Sequence, residues 1–233
     1  MARWPSVEAA IEAGKTSTLS RVKAGIPLMQ RYQDILQEYR EDFPFGLLVV
    51  KGAFESKGNA TVKSAVDSRG RQAVGLFQLF TGVQGLSASE LQNPTLNTQA
   101  FIRLVQERAS DLEKTHAPYF ARGRDYQFWC TVLWTTMIGP GAVRAILDRT
   151  RPTSAPFDNA IAWIKANPRE MEKDALESKF GVQGGRLTAF RSVVTQRMCY
   201  MATAIVPTSM GIESTSWVPL ALAALAGAVL LWR

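Results

Sequence analysis

The spacing of apolar and polar residues along the chain predicts a mainly helical protein, with one helix at its centre. Between Phe45 and Phe54 nearly every residue is apolar, and only Lys51 and two glycines interrupt the run. An apolar run of this length, without the alternation of a strand, predicts a helix that is buried on most sides. Gly58 and Asn59 follow and are expected to end it.

Weaker patterns predict the elements around this central helix. Residues 1–25 mix small and polar side chains and are expected to form a loose arm, with at most one short helix near Val7 to Gly14. An amphipathic helix is predicted from Pro27 to about Pro44. Residues 60–66 alternate as a short strand does, and Asp67 to Gly70 suits a type I turn, so a small hairpin is expected. Further helices are predicted from Asn97 or Thr98, from Asp125, from Pro140, and over 157–166, 168–180 and 187–205.

The composition of the last residues predicts a membrane anchor. Trp217 to Trp232 is uncharged, rich in Leu, Ala and Val, and has a tryptophan at each end. At 1.5 Å per residue this segment measures about 24 Å, which is short against a hydrocarbon core of about 30 Å. The alternative is a helix buried in a protein complex. The predicted organisation is therefore an arm (1–25), a main domain (26–206), a linker (207–216) and a transmembrane helix (217–233).

Composition and charge exclude some classes of binding partner but do not identify a single one. The 233 residues carry a net charge of +7, which suits an anionic polymer or lipid surface. Zinc-finger spacing, a basic helix and basic residues interleaved with aromatic ones are all missing from the sequence, so nucleic acid is not expected. Cys130 and Cys199 lie in apolar helical surroundings and are expected to be buried thiols rather than a disulfide. No metal or other cofactor is expected.

Glu55 is the candidate catalytic residue. It lies at the end of the buried helix, where apolar neighbours and the C-terminal end of the helix dipole both disfavour the carboxylate anion. A carboxyl group that keeps its proton near neutral pH is what a general acid requires. The alternative is a solvated glutamate at a helix end.

Four segments in order resemble the soluble lytic transglycosylase family, which is related to goose-type lysozymes. The segments are Glu55-Ser56, Gly75-Leu76-Phe77-Gln78, Leu91-Gln92-Asn93-Pro94 with Asn97, and Gly139-Pro140-Gly141-Ala142-Val143. The resemblance covers roughly residues 26–147. It implies a lysozyme-like α+β domain with a small hairpin beside the catalytic helix.

The resemblance also implies a reaction, the cleavage of the bond between N-acetylmuramic acid and N-acetylglucosamine in peptidoglycan. Glu55 would protonate the glycosidic oxygen and would then take the proton of the muramic C6 hydroxyl, which closes a 1,6-anhydro ring. No water is consumed, so such a lyase needs no second carboxylate. The residues implied to bind substrate are Ser56, Gly75, Leu76, Phe77, Gln78, Thr136 and Met137.

One departure from the family weakens this reading. The family places a tyrosine and an asparagine where this chain has Thr136 and Met137, and a methionine cannot donate a hydrogen bond. Thr135, Thr136 or Tyr126 would have to substitute for the tyrosine. The alternatives are a hydrolytic muramidase, with Asp67 or Glu90 as the base, and a non-catalytic virion protein that serves in structure or membrane penetration.

The ends of the chain suggest a setting. The N-terminus has no apolar stretch of the kind that directs secretion, yet the C-terminus looks like an anchor. A bacteriophage virion protein that opens the cell wall during genome entry fits both observations. It would be a single-pass membrane protein of the virion, acting in the host periplasm. Its expected partners are peptidoglycan, membrane and other virion proteins.

Overall fold

The computed structural model describes residues 7–67, 70–167, 185–207 and 210. The chain divides into two compact units. The ribbon unit comprises Thr18–Arg103 and Met198–Arg233, and the helical unit comprises Met1–Ser17 and Leu104–Arg197. The predicted helix over 168–180 lies outside the described residues.

The described elements are mainly helical and include one small antiparallel sheet, as predicted. The helices are α1 (Val7–Met29), α2 (Gln33–Tyr39), α3 (Phe45–Ser56), α4 (Pro94–His116), α5 (Tyr126–Ile138), α6 (Pro140–Thr150), α7 (Pro156–Ala166) and α8 (Gly185–Ala202). Short 3-10 turns occupy Gln30–Tyr32, Val83–Gly85, Glu90–Gln92, Ala117–Phe120 and Thr203–Ile205. The strands are β1 (Ala73–Val74) and β2 (Leu79–Phe80).

Helix α3 forms the centre of the ribbon unit, and its predicted bounds are confirmed within two residues. Most of its side chains are buried, including Lys51. Gly52 lies against Met29 of α1, and Gly25 of α1 lies against Ala53, so neither glycine has room for a β-carbon. These two glycines therefore allow α1 and α3 to approach closely.

The end of α3 is a left-handed turn. Lys57 (φ 53°) and Gly58 (φ 72°) both adopt positive φ, and the Lys57 amide donates to the Ala53 carbonyl. The guanidinium group of Arg31 donates to the Gly58 carbonyl. The helix thus stops where the sequence predicted, because the chain reverses at Gly58.

A small hairpin is present, but its strands are β1 and β2, and the predicted strand over 60–66 is wrong except for a bridge at Lys63. The two strands pair antiparallel, with Ala73 opposite Phe80, and the extended arm before them joins through a bridge between Lys63 and Val74. The Gly70 amide donates to the Asp67 carbonyl, as the predicted turn requires. We call residues 62–67 and 70–80 together the ribbon.

Two helix starts differ from the prediction. Residues 7–29 form one continuous helix where a loose arm was expected, and Pro27 lies in its last turn instead of at its start. Helix α4 begins at Pro94, and the cap is Asn93, whose Oδ1 accepts from the amides of Thr95 and Leu96. Asn97 and Thr98 are therefore not the cap residues.

The helical unit packs α5, α6 and α7 together. The side-chain oxygen of Gln127 in α5 accepts from the amides of Phe157 and Asp158 at the start of α7. The ring of Trp134 meets that of Phe157 edge-on at 6.1 Å. Cys130 and Cys199 are both buried and are not joined in a disulfide, which confirms that prediction.

The prediction of a transmembrane helix, and with it of a single-pass membrane protein, is wrong for the helices that the structure describes. No helix within residues 7–67, 70–167 and 185–207 is long and apolar enough to cross a membrane. The proposed span over 217–233 lies outside the described residues.

Candidate functional site

Glu55 lies in the last turn of α3 and is partly accessible, with 21 % of its side chain exposed. Arg21 of α1 holds this end of the helix, since its Nε donates to the Phe54 carbonyl (2.9 Å) and its Nη2 donates to the Glu55 carbonyl (3.0 Å). A guanidinium group on the last carbonyls offsets the negative end of the helix dipole. One of the two effects expected to disfavour the Glu55 anion is therefore counteracted.

Lys51 counteracts the other effect. Its side chain is buried, at 2 % exposure, and its Nζ lies 2.7 Å from Oε1 of Glu55, one helical turn away. Burial alone would lower the pKa of Lys51, but the Glu55 carboxylate acts the other way, and the pKa lies above its ordinary value. The site is therefore a buried ammonium paired with a partly exposed carboxylate. The sequence reading missed this pair, although Lys and Glu four residues apart are its usual signal.

The thiol of Cys199, near the end of α8, shares this environment. Burial raises the pKa of Cys199 to about 12; Lys51 acts to lower it and Glu55 to raise it. At neutral pH Cys199 is consequently an uncharged thiol, so it cannot serve as a counterion. The charge of Lys51 is balanced by Glu55 instead.

Ser56 does not extend the site outward. It is 6 % exposed, and its hydroxyl donates to the Gly52 carbonyl at 3.0 Å. This bond back to the preceding turn is common for a serine at a helix end. Ser56 follows Glu55 in the chain, but its hydroxyl proton is bonded to the backbone of α3.

The segment Gly75 to Gln78 lies in the ribbon unit with Glu55, and most of it faces the core. Leu76 is fully buried, and Phe77 is 3 % exposed and stacks on Phe101 with ring centroids 4.3 Å apart. Gln78 is partly exposed, and its Nε2 donates to the carbonyls of Val62 and Gly75. Of this predicted set, Gln78 alone has an incompletely buried side chain, while Leu76 and Phe77 are core residues.

Gly75 serves internal packing. Its φ is 84°, and a β-carbon there would collide with the Leu91 carbonyl oxygen and the Asn97 side chain. The sequence reading assigned this glycine to close approach of a glycan. The structure instead shows the chain itself filling that side.

Asn97 is the structural residue that the sequence reading undervalued. It is fully buried, and its Oδ1 accepts from the Phe77 amide at 2.8 Å. Its Nδ2 donates to the carbonyls of Val74 and Leu91. One amide thus ties α4 to the ribbon. The signal was present in the Asn-Pro-x-x-Asn spacing, but it was interpreted as a helix start.

Thr136 and Met137 lie in the helical unit, at the end of α5. The Thr136 hydroxyl donates to the Leu133 carbonyl, and Met137 is 42 % exposed, with the Nε2 of Gln196 donating to its sulfur. The suggested substitutes for the family tyrosine are engaged in the same unit. Tyr126 donates to Asp158, and Thr135 donates to the carbonyl one turn back.

The candidate bases for a hydrolase are also engaged locally. Asp67 accepts from the backbone amide and the guanidinium group of Arg71. Glu90 accepts from the amide and hydroxyl of Ser87, whose hydroxyl in turn accepts from the Glu90 amide, and these bonds lower the pKa of Glu90. Such reciprocal bonding is a capping box, which is a structural role.

A cavity of about 320 Å³ lies in the helical unit, beside Tyr119 and Pro152. None of the predicted site residues lines it. Two of its polar side chains have structural tasks, because Asp125 caps α5 and Gln127 bonds to α7. We therefore keep the site at Glu55.

The chain was also compared with known proteins. Neither protein-family models, nor curated proteins, nor solved structures give a match.

Proposed function

We propose that this protein is a peptidoglycan lytic transglycosylase, with Glu55 as the acid and then the base. The observation that carries the proposal is the position of Glu55, a partly exposed carboxylate at the end of an otherwise buried helix, held by a buried ammonium. The four segments that resemble soluble lytic transglycosylases are the reason for proposing peptidoglycan as the substrate. The net charge of +7 favours an anionic polymer such as peptidoglycan.

The proposed reaction uses one carboxyl group twice. Protonated Glu55 gives its proton to the glycosidic oxygen between the two sugars as the bond to the muramic anomeric carbon breaks. The resulting carboxylate then takes the proton of the C6 hydroxyl, whose oxygen bonds to that carbon. The proton lost in the first step is regained in the second, so no water enters and Glu55 returns to its starting state.

Hydrolysis is the less favoured version of this function. It would need a second carboxylate to activate water, and both candidates, Asp67 and Glu90, are already bonded to neighbouring groups. We limit the proposal to the reaction, since the virion setting was inferred partly from a membrane anchor that the structure does not support.

A non-catalytic role is the second candidate, and one observation favours it. The Nζ of Lys51 lies 2.7 Å from Oε1 of Glu55, an ion pair of the kind that also stabilises helices in proteins without catalytic activity. The ion pair would then be purely structural.

The composition of the digest tests the proposal. Purified protein is incubated with peptidoglycan, and the soluble muropeptides are identified by mass spectrometry. We expect 1,6-anhydromuramic ends, which lack one water relative to reducing ends. Reducing ends alone would indicate a hydrolase, and no soluble product would indicate the non-catalytic role.

A further inference from the structure

Lys51 has no role in the reaction proposed above, although its ammonium group contacts the carboxyl group of Glu55. It is one of the largest fully buried side chains, and its charged end reaches Oε1 of Glu55 at 2.7 Å. An ammonium group can only donate hydrogen bonds. Whatever the protonation state of Glu55, Oε1 therefore remains the acceptor of this bond.

This geometry distinguishes the two oxygens of the carboxyl group. When Glu55 takes up a proton, the oxygen without the proton is the stronger acceptor, so the bond from the Lys51 ammonium favours Oε1 as the carbonyl oxygen. The proton then lies on Oε2, to which the described residues donate no hydrogen bond. Oε2 is thus the oxygen that remains available to a ligand.

We propose that Lys51 is a positioning residue that directs the catalytic proton of Glu55 to Oε2, so that one oxygen both gives and takes the proton. The inference rests on the proposed function and deepens it. In the first step Oε2 carries the proton to the glycosidic oxygen. In the second step the same oxygen receives the proton of the C6 hydroxyl, while Oε1 stays bound to Lys51.

Few other charged groups act on this pair within the described part of the ribbon unit. Arg21, from α1, bonds to the Glu55 carbonyl and not to its carboxyl group. Cys199, from α8, is an uncharged thiol at neutral pH. Lys51, on the same helix as Glu55, is therefore the cation in direct contact with the carboxyl group.

The test compares Lys51→Met with Lys23→Met in the full chain. The first change removes the ammonium and keeps a side chain of similar length. The second removes an equal charge from an exposed position on α1. The rate of peptidoglycan solubilisation at low substrate is measured from pH 4 to 9, since the alkaline limb of such a profile reports the acid of the free enzyme.

We expect the alkaline limb of Lys51→Met to differ from that of the wild type, because the ammonium group in contact with the catalytic carboxyl group is lost. Lys23→Met should leave the limb unchanged. An active wild type with the same limb in all three proteins would overturn the inference and leave the proposed function standing. A wild type without activity would overturn both.

A measurement on the unchanged chain covers the case in which Lys51→Met does not fold. The side-chain carbon of Glu55 and the Nζ of Lys51 are followed together by NMR as the pH falls. We expect the Lys51 resonance to shift at the midpoint of the Glu55 titration, with the Nζ protons still protected from exchange. A Lys51 resonance that does not respond to the titration of Glu55 would overturn the inference.

Discussion

At the scale of single residues, two glycines of the ribbon unit have similar backbone conformations but differ in the space around them. Gly75 combines a positive φ of 84° with a side on which the Leu91 carbonyl and Asn97 leave no room. Gly82 has nearly the same φ, 85°, but nothing lies within 4 Å of where its β-carbon would be. The two positions separate backbone strain from steric overlap.

The first prediction concerns these two glycines. Gly82→Ala should lower the free energy of unfolding by about 1–2 kcal/mol, the cost of a left-handed conformation for a residue with a β-carbon. Gly75→Ala should cost clearly more, because overlap with Leu91 and Asn97 adds to the strain. Urea denaturation measures both. Equal losses would show that Gly75 is not packed as described.

The elements show which parts of this fold the sequence determines locally. Helix α3 was predicted almost to the residue, since its apolar run and the following Gly58 are both local signals. Helix α1 was missed because its sequence is rich in small and polar residues. Its contacts through Gly25 and Met29 depend on α3, which is distant in sequence.

The candidate site, like the helices, could be predicted only where the signal is local in sequence. The sequence identified Glu55, and the spacing of Lys51 and Glu55 would have predicted their ion pair. The role of Asn97 could not be predicted, because two of its three backbone partners, Phe77 and Val74, lie 20 and 23 residues away in the sequence. Burial of Leu76 and Phe77 likewise depends on how α4 and the ribbon pack.

The second prediction tests the connection between α4 and the ribbon. Asn97→Ala leaves the buried Phe77 amide and the carbonyls of Val74 and Leu91 without that partner. Each buried unsatisfied group costs about 1–3 kcal/mol, so the free energy of unfolding should fall by more than about 2 kcal/mol.

Asn159→Ala is the matched control for this change. Asn159 is exposed and its amide donates to Thr153, so its loss should cost no more than about 0.5 kcal/mol. Similar losses for the two variants in urea denaturation would contradict the role assigned to Asn97.

For the whole molecule, the buried thiol and ammonium predict how stability depends on pH. The folded-state pKa of Cys199 is raised from 9.0 to about 12, and that of Lys51 is raised above 10.5. A raised folded pKa gives stability that is complete below the unfolded pKa and is lost as the pH rises through the folded one. Both groups therefore destabilise the fold at alkaline pH, and Cys199 begins to do so first.

The third prediction follows from that order. Between pH 9 and 10.5 the free energy of unfolding should fall, with Cys199 contributing up to about 1.4 kcal/mol per pH unit. Cys199→Ala should flatten this part of the curve, measured by urea denaturation under reducing conditions. An unchanged slope in the variant would show that the thiol is not the group responsible.

The central claim, that Glu55 performs the catalytic proton transfers, is tested most directly by Glu55→Gln. The amide keeps the size of the side chain but cannot give or take the proton, so lysis of peptidoglycan should fall by about 10²–10⁴-fold. Glu107→Gln, at an exposed position on α4, should lyse at the wild-type rate. The measurement is the initial rate of peptidoglycan solubilisation by the three proteins, each checked for folding by circular dichroism. We expect this loss for Glu55→Gln alone; lysis by Glu55→Gln at the wild-type rate would show that Glu55 does not transfer the proton.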